Sequence, residues 1–186
     1  LTRGQDHVLL ATRSGMVIRF PETDVRPMGR DTTGVRGIEL EADDAVESMD
    51  LVEEGAAFLL ATRNGYGKRT EFDEFRIQRR GGKGLIGIQT SDRNGPLVAA
   101  LTVRPDESIM MITARGMMIR APVADIRIIG RNTQGVRLIT LEEGDFLASL
   151  TPVEPEDNDE KLDRAAADVT APSGEETAAK PLSPEP

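Results

Sequence analysis

Hydrophobic positions fall into short runs separated by polar turns, and no apolar stripe of helical period is sustained over a long window. Residues 8–12 form an apolar run rich in strand formers, Arg13-Ser14-Gly15 reads as a turn, and residues 16–20 return. The same text then comes back twice. Leu9-Leu10-Ala11-Thr12-Arg13-Ser14-Gly15 recurs as Leu59-Leu60-Ala61-Thr62-Arg63-Asn64-Gly65 and, more loosely, as Met110-Met111-Ile112-Thr113-Ala114-Arg115-Gly116. A second landmark, Gly34-Val35-Arg36-Gly37-Ile38, recurs as Gly84-Leu85-Ile86-Gly87-Ile88 and Gly135-Val136-Arg137-Leu138-Ile139. Within each copy the two landmark glycines stand 19 residues apart, and the turn glycines follow one another at 50 and 51 residues. Two markers that hold a fixed offset over three copies signal a repeat architecture.

Each copy reads as four strands. The first two form a hairpin, and its second-copy turn, Arg63-Asn64-Gly65, contains Asn-Gly, a strong hairpin signal because both residue types tolerate positive φ. A third strand is expected over residues 35–40, 85–89 and 136–141, and a fourth over 46–52, 97–103 and 146–153. Four short antiparallel strands per repeat predict an all-β fold of propeller or pinwheel blades, at about residues 7–53, 57–104 and 108–153. Propeller rings close from roughly four to eight blades, so three repeats must associate or belong to something longer. The opening Leu1, in place of a starting Met, points to the second.

The charge of −9 over 186 residues argues at first sight against a nucleic-acid partner. Its distribution reverses that reading. Residues 154–186 hold ten acids and three bases, so the repeat region keeps only −2, and 18 of its 20 bases are Arg. The acidic segment is poor in apolar residues and rich in Pro, Ala, Ser, Thr and Glu, which predicts a disordered tail. A tethered segment of that charge can occupy a basic rim and compete with DNA. The absence of Cys excludes disulfides, thiol catalysis and Cys-ligated zinc, and the lone His7 makes no metal cluster. No apolar run approaches the ~20 residues of a membrane span, and a cytoplasmic location follows. With one Tyr, five Phe and no Trp, a stacking platform for single strands is not expected.

The connection between the second and third strands differs among the copies. It reads Met28-Gly29-Arg30-Asp31-Thr32-Thr33-Gly34 in the first, Gln78-Arg79-Arg80-Gly81-Gly82-Lys83-Gly84 in the second, and Ile129-Gly130-Arg131-Asn132-Thr133-Gln134-Gly135 in the third. The middle heptad carries three cations, three glycines and no acid. Glycines allow close backbone approach, the cations neutralise phosphates, and Gln78 adds a neutral hydrogen bond, which suits the DNA backbone better than base reading.

This heptad resembles the box motif of the C-terminal domain of DNA gyrase A subunits, within the type IIA topoisomerase family. The flanking Gly29-Arg30-Asp31-Thr32-Thr33-Gly34-Val35-Arg36-Gly37 and Gly130-Arg131-Asn132-Thr133-Gln134-Gly135-Val136-Arg137 resemble that domain's last blades, as does Ala61-Thr62-Arg63-Asn64-Gly65-Tyr66-Gly67-Lys68-Arg69-Thr70. The resemblance implies half of a six-bladed β-pinwheel whose basic outer surface wraps double-stranded DNA, so that ATP-driven strand passage introduces negative supercoils. It implies a gyrase A cleavage core and gyrase B subunits as partners in an A2B2 assembly, with ATP and Mg bound on other domains or subunits and no cofactor here. The 78–84 loop would grip the duplex, with secondary contacts from Arg30, Arg36, Arg63, Lys68, Arg69, Arg131 and Arg137. The segment itself carries no catalytic residue. Tyr66 sits in a Gly-Tyr-Gly turn and reads as packing on the blade face, and the paired acids Asp43-Asp44 and Glu142-Glu143 read as solvated turns. The family's box lies in the first blade, so this one is either the main box or a second. A topoisomerase IV A subunit, whose box is lost or degenerate, is the alternative within the family. A propeller that binds proteins is the alternative outside it, and its binding would be insensitive to salt.

Overall fold

The computed structural model describes residues 2–154, so the tail expected from residue 154 onward lies, past Glu154, outside the described residues. Eleven strands and three single 3-10 turns make up the described fold. The first repeat holds β1 (His7–Thr12), β2 (Met16–Pro21) and β3 (Val46–Leu51). The second holds β4 (Ala57–Thr62), β5 (Tyr66–Thr70), β6 (Leu85–Ile86) and β7 (Leu97–Val103). The third holds β8 (Ser108–Thr113), β9 (Met118–Pro122), β10 (Val136–Arg137) and β11 (Leu147–Val153). The 3-10 turns, Glu22–Asp24, Phe72–Glu74 and Val123–Asp125, follow the second strand of each repeat. Among the described residues no helix is long and apolar enough to cross a membrane.

The hairpins and their three-residue turns stand where the repeats placed them. Each is a three-residue loop in which the glycine alone takes positive φ (+86° at Gly15, +79° at Gly65) and donates back to the threonine three residues earlier. Asn64 stays at negative φ, and its side-chain amide donates to the carbonyls of Asp92 and Arg93 at 3.1 and 3.2 Å. The expected third strands shrink to two residues in the second and third repeats, and residues 35–40 form none.

Those short strands pair across repeats. The sheets run β3-β1-β2-β6, β10-β5-β4-β7 and β11-β8-β9, so the second repeat donates β6 to the sheet of the first and the third donates β10 to that of the second. After β6 the chain turns around the neighbouring hairpin, where the carbonyl of Gly15 accepts from both Gly87 and Ile88. Gly65 accepts from Leu138 and Ile139 in the same way.

Between adjacent sheets the two inward faces pack. Leu9, Ala11 and Val17 of the first sheet meet Phe58, Leu60, Phe72 and Phe75, with the Phe58 and Phe75 rings edge-on at 5.9 Å. On the other side of β4, Leu59 and Ala61 meet Ile109, Met111, Val123 and Ile126. Strand β4 is therefore buried at every position, as expected of a strand covered on both faces. Strands β3 and β7 converge, and the backbone N–H groups of Ala100 and Thr102 donate to Ser48 Oγ and Asp50 Oδ2 at 2.9 and 2.7 Å. The donated strands β6 and β10 lie on the opposite edge.

Candidate nucleic-acid interface

The 78–84 loop leads into β6 and rests along the outer edge of the first repeat's sheet. The backbone N–H of Gln78 donates to Arg19 at 2.8 Å, that of Gly81 donates to Gly37 at 2.7 Å, and the Gly82 carbonyl accepts from Glu39 at 2.9 Å. Gly84 sits at φ +77°, and a β-carbon there would lie 2.6 Å from the Val17 carbonyl oxygen. That glycine therefore serves the joint between repeats. The close approach expected toward DNA is, at this position, an approach to the neighbouring repeat's backbone.

The cations divide. Arg80 is half-buried and turned back on the first repeat. Its Nε donates to the Asp24 carbonyl at 3.1 Å and its Nη1 donates to the Arg36 carbonyl. Arg79 and Lys83 are exposed and make no hydrogen bond or ion pair among the described residues. Gln78 is half-buried, and its amide nitrogen has no partner there. The loop thus combines a fixed backbone, one cation spent on holding it, and two cations presented to solvent.

The secondary positions also separate. Arg131 repeats the Arg80 contact one repeat on, its Nη1 reaching the Ile86 carbonyl at 3.4 Å. Arg30, at the same repeat position, is exposed, as is Arg36. Arg63 lies over the Phe146 ring, 3.7 Å from its centroid. Arg137 donates to the Tyr66 hydroxyl at 3.2 Å, and Arg93 stands over the same ring at 4.9 Å. Hydrogen bonds from Arg137 and then Arg93 hold that hydroxyl below the usual tyrosine range.

Lys68 and Arg69 require correction, because the structure buries both. Lys68 is 0% exposed, and its Nζ donates to Gly130 O at 2.7 Å, to Arg131 O and to Thr133 Oγ1 at 3.1 Å. Burial lowers its pKa to about 8, partly opposed by the Glu74 charge and reinforced by that of Arg131. Arg69 donates through Nε to Ile126 O at 2.7 Å and through Nη2 to Ala124 O. Both cations reach across to the third repeat and hold its rim segment.

Arg26, Arg76 and Arg127 lie beyond the positions singled out from the sequence. Each follows its repeat's turn glycine by 11 residues, is exposed, and has no side-chain partner among the described residues. The fixed offset was the available signal. The paired acids do not converge. Asp44 accepts from the Ser14 N–H and hydroxyl at 2.9 and 2.6 Å, while Glu142 and Glu143 stay exposed. His7 lies with Nδ1 3.1 Å from Arg19 Nη2.

Similarity to known proteins agrees with this geometry. The family described as DNA gyrase C-terminal domain, beta-propeller matches residues 6–53, 57–104 and 107–154. The DNA gyrase A protein of Salmonella typhimurium is 44% identical over 176 residues, covering 95% of this chain and 20% of that protein. Its Escherichia coli K12 counterpart is 45% identical over 172 residues, covering 90% and 20%. The chain therefore spans about one fifth of the length of these relatives. A solved DNA gyrase A C-terminal domain superposes with a TM-score of 0.76 at 26% identity, covering 81% of this chain and 52% of that one. The C-terminal domain of a DNA topoisomerase IV superposes at 0.79 and 26%, covering 92% and 54%. With three matched repeats, a donated strand at each inner joint and gyrase A relatives at 44–45% identity, the chain belongs to the DNA gyrase C-terminal β-propeller family.

Proposed function

We propose that this segment binds double-stranded DNA along its outer edge and supports wrapping by a gyrase-type, ATP-dependent topoisomerase. ATP and Mg would be bound elsewhere in that enzyme, the cleavage core and B subunits would be its partners, and the bacterial cytoplasm its location. The observation that carries the reading is the loop in which Arg79 and Lys83 stand exposed and unpaired on a backbone held by Arg80 and Gly84. A rigid loop loses little entropy on binding, so its cations add to phosphate affinity with a small ordering cost. Arg26, Arg76 and Arg127 add one exposed arginine at the same position of each repeat. Gyrase is favoured over topoisomerase IV because the heptad is intact and the two full-length relatives above are gyrase A proteins. The fold itself matches both, at TM-scores of 0.76 for the gyrase domain and 0.79 for the topoisomerase IV domain.

Duplex affinity measured against salt tests the assignment. Arg79→Ala/Lys83→Ala should flatten the plot of log K against log salt by up to ~1.8, about 0.9 per lost phosphate contact, with equal weakening on unrelated sequences. Arg80→Ala should change the slope less and lower the melting temperature more. An unchanged slope in the double variant makes the loop a plain turn, and salt-insensitive partner capture would favour the protein-binding reading.

A further inference from the structure

The joint between the second and third repeats carries a cationic cluster that the joint between the first and second lacks. Across β5 and β10, Tyr66 and Arg137 stand directly opposite each other, where the earlier joint pairs Met16 with Ile86. Arg137 donates through Nη2 to the Tyr66 hydroxyl at 3.2 Å, and its guanidinium carbon lies 5.7 Å from the ring centroid. Arg93, from the segment between β6 and β7, stands over the same ring at 4.9 Å. Two guanidinium groups, one from each repeat, therefore converge on one ring.

No acid balances them. Both arginines are exposed, and neither has a carboxylate partner among the described residues. Like charges gathered this closely repel, and an anion bound to both relieves that cost. Contact with the ring and one hydrogen bond apiece fix the two guanidinium groups, which leaves further N–H groups of each fork open. The Tyr66 hydroxyl accepts from Arg137, so its own hydrogen remains for an acceptor oxygen.

The cluster also fills a gap in the third repeat's loop. Residues 129–135 carry Gly130 and Gln134 where the second repeat has the exposed Arg79 and Lys83. Arg93 Nη1 donates to Gln134 Oε1 at 3.3 Å, so a cation from the second repeat stands against the residue that replaces the lysine. Arg137 follows that loop on the donated strand. The site is built by the second and third repeats alone, at a joint for which both are present.

We propose that Arg93, Arg137 and the Tyr66 hydroxyl form a second phosphate site for duplex DNA, clasping one backbone phosphate at this joint. The inference rests on the DNA-binding reading above and adds a contact separate from the 78–84 loop. Guanidinium forks match phosphate oxygens with two N–H groups each, and the phenol adds a neutral donor. A contact of this kind reads no base edge, so it is independent of sequence.

Tyr66 is the chain's single tyrosine and the chain has no Trp, so intrinsic fluorescence reports on this site. Duplex titrated into the full chain should quench it in parallel with binding followed by the anisotropy of labelled DNA. Arg93→Gln/Arg137→Gln keeps hydrogen-bonding side chains and removes both charges. It should flatten the plot of log K against log salt by about 0.9, the value of one phosphate contact. The same decrement is expected on top of Arg79→Ala/Lys83→Ala. Arg93→Lys/Arg137→Lys should restore the slope, and Tyr66→Phe should weaken binding about threefold with the slope unchanged. A folded glutamine pair with the wild-type slope, or duplex binding without quenching, would overturn the site and leave a clasp between repeats. If the glutamine pair fails to fold, the quenching and the Tyr66→Phe affinity decide. Absence of duplex binding by the wild-type chain would instead refute the DNA reading on which the site rests.

Discussion

Gly84→Ala is expected to destabilise the fold by about 3 kcal/mol, and Gly34→Ala by about 1 kcal/mol, although the two glycines hold the same repeat position. Both sit in the left-handed region, at φ +77° and +75°, where an alanine costs roughly 1–2 kcal/mol. Only Gly84 adds a collision. Its β-carbon would stand 2.6 Å from the Val17 carbonyl oxygen and 2.9 Å from the carbonyl carbon, so backbone must move. Overpacking of that kind adds about 1–3 kcal/mol. Around Gly34 nothing lies within 4 Å. Gly135, whose β-carbon would meet the Gly67 carbonyl oxygen at 2.6 Å, should behave like Gly84. For a domain of this size, 1 kcal/mol corresponds to about 2–4 °C in melting temperature, so the expected losses are about 10 °C at positions 84 and 135 and about 3 °C at 34. Thermal unfolding followed by circular dichroism at low protein concentration makes the comparison. Equal losses at all three sites would mean that backbone approach does not limit the joint.

The recurrence that exposes the repeats also carries information that no single copy holds. Arg80 has arginine counterparts at 30 and 131, and its contact recurs with Arg131, so the part that recurs serves the joint. Arg79 and Lys83 face Gly29, Gly130, Thr33 and Gln134 in the other copies, and these two are the exposed cations of the loop. Position 68 corresponds to Ile18 in the first repeat, which is fully buried, so that copy marks a covered site despite the lysine. Strand exchange was not legible. A two-residue strand pairs with whichever edge lies nearby, and its own pattern is the same whether the host is its repeat or the previous one. Residues 35–40 carry full strand propensity and form no strand, because no host edge reaches them among the described residues. The second-copy turn has the three residues expected and differs at Asn64. Asn-Gly signals a hairpin because both residue types tolerate positive φ, but here the Asn64 amide bonds to Asp92 and Arg93 and Gly65 alone takes that conformation.

Lys68→Met should lower stability by about 2 kcal/mol at pH 7, and the deficit should widen as the pH rises. At pH 7 the wild-type ammonium is charged in both folded and unfolded states. Methionine removes its hydrogen bonds to the Gly130 and Arg131 carbonyls and the Thr133 hydroxyl, and bonds to a charged donor contribute about 1.5–3 kcal/mol each. Against that, methionine removes a buried charge, and the rim carbonyls can turn to water, which leaves a net loss near the lower figure. The pH dependence follows from burial, which sets the folded pKa at about 8 against 10.5 for an ordinary lysine. Between those values the unfolded chain binds the extra proton, so wild-type stability rises with pH across the window. The methionine variant lacks that gain. Urea midpoints of the two proteins at pH 7, 9 and 10.5 read the gap directly. A gap that narrows with pH would mean that the rim carbonyls hold Lys68 as a cation more tightly than water does, with its pKa raised instead of lowered. A gap that widens makes the amine at position 68 a filler of a covered site, occupying the place that Ile18 takes in the first repeat.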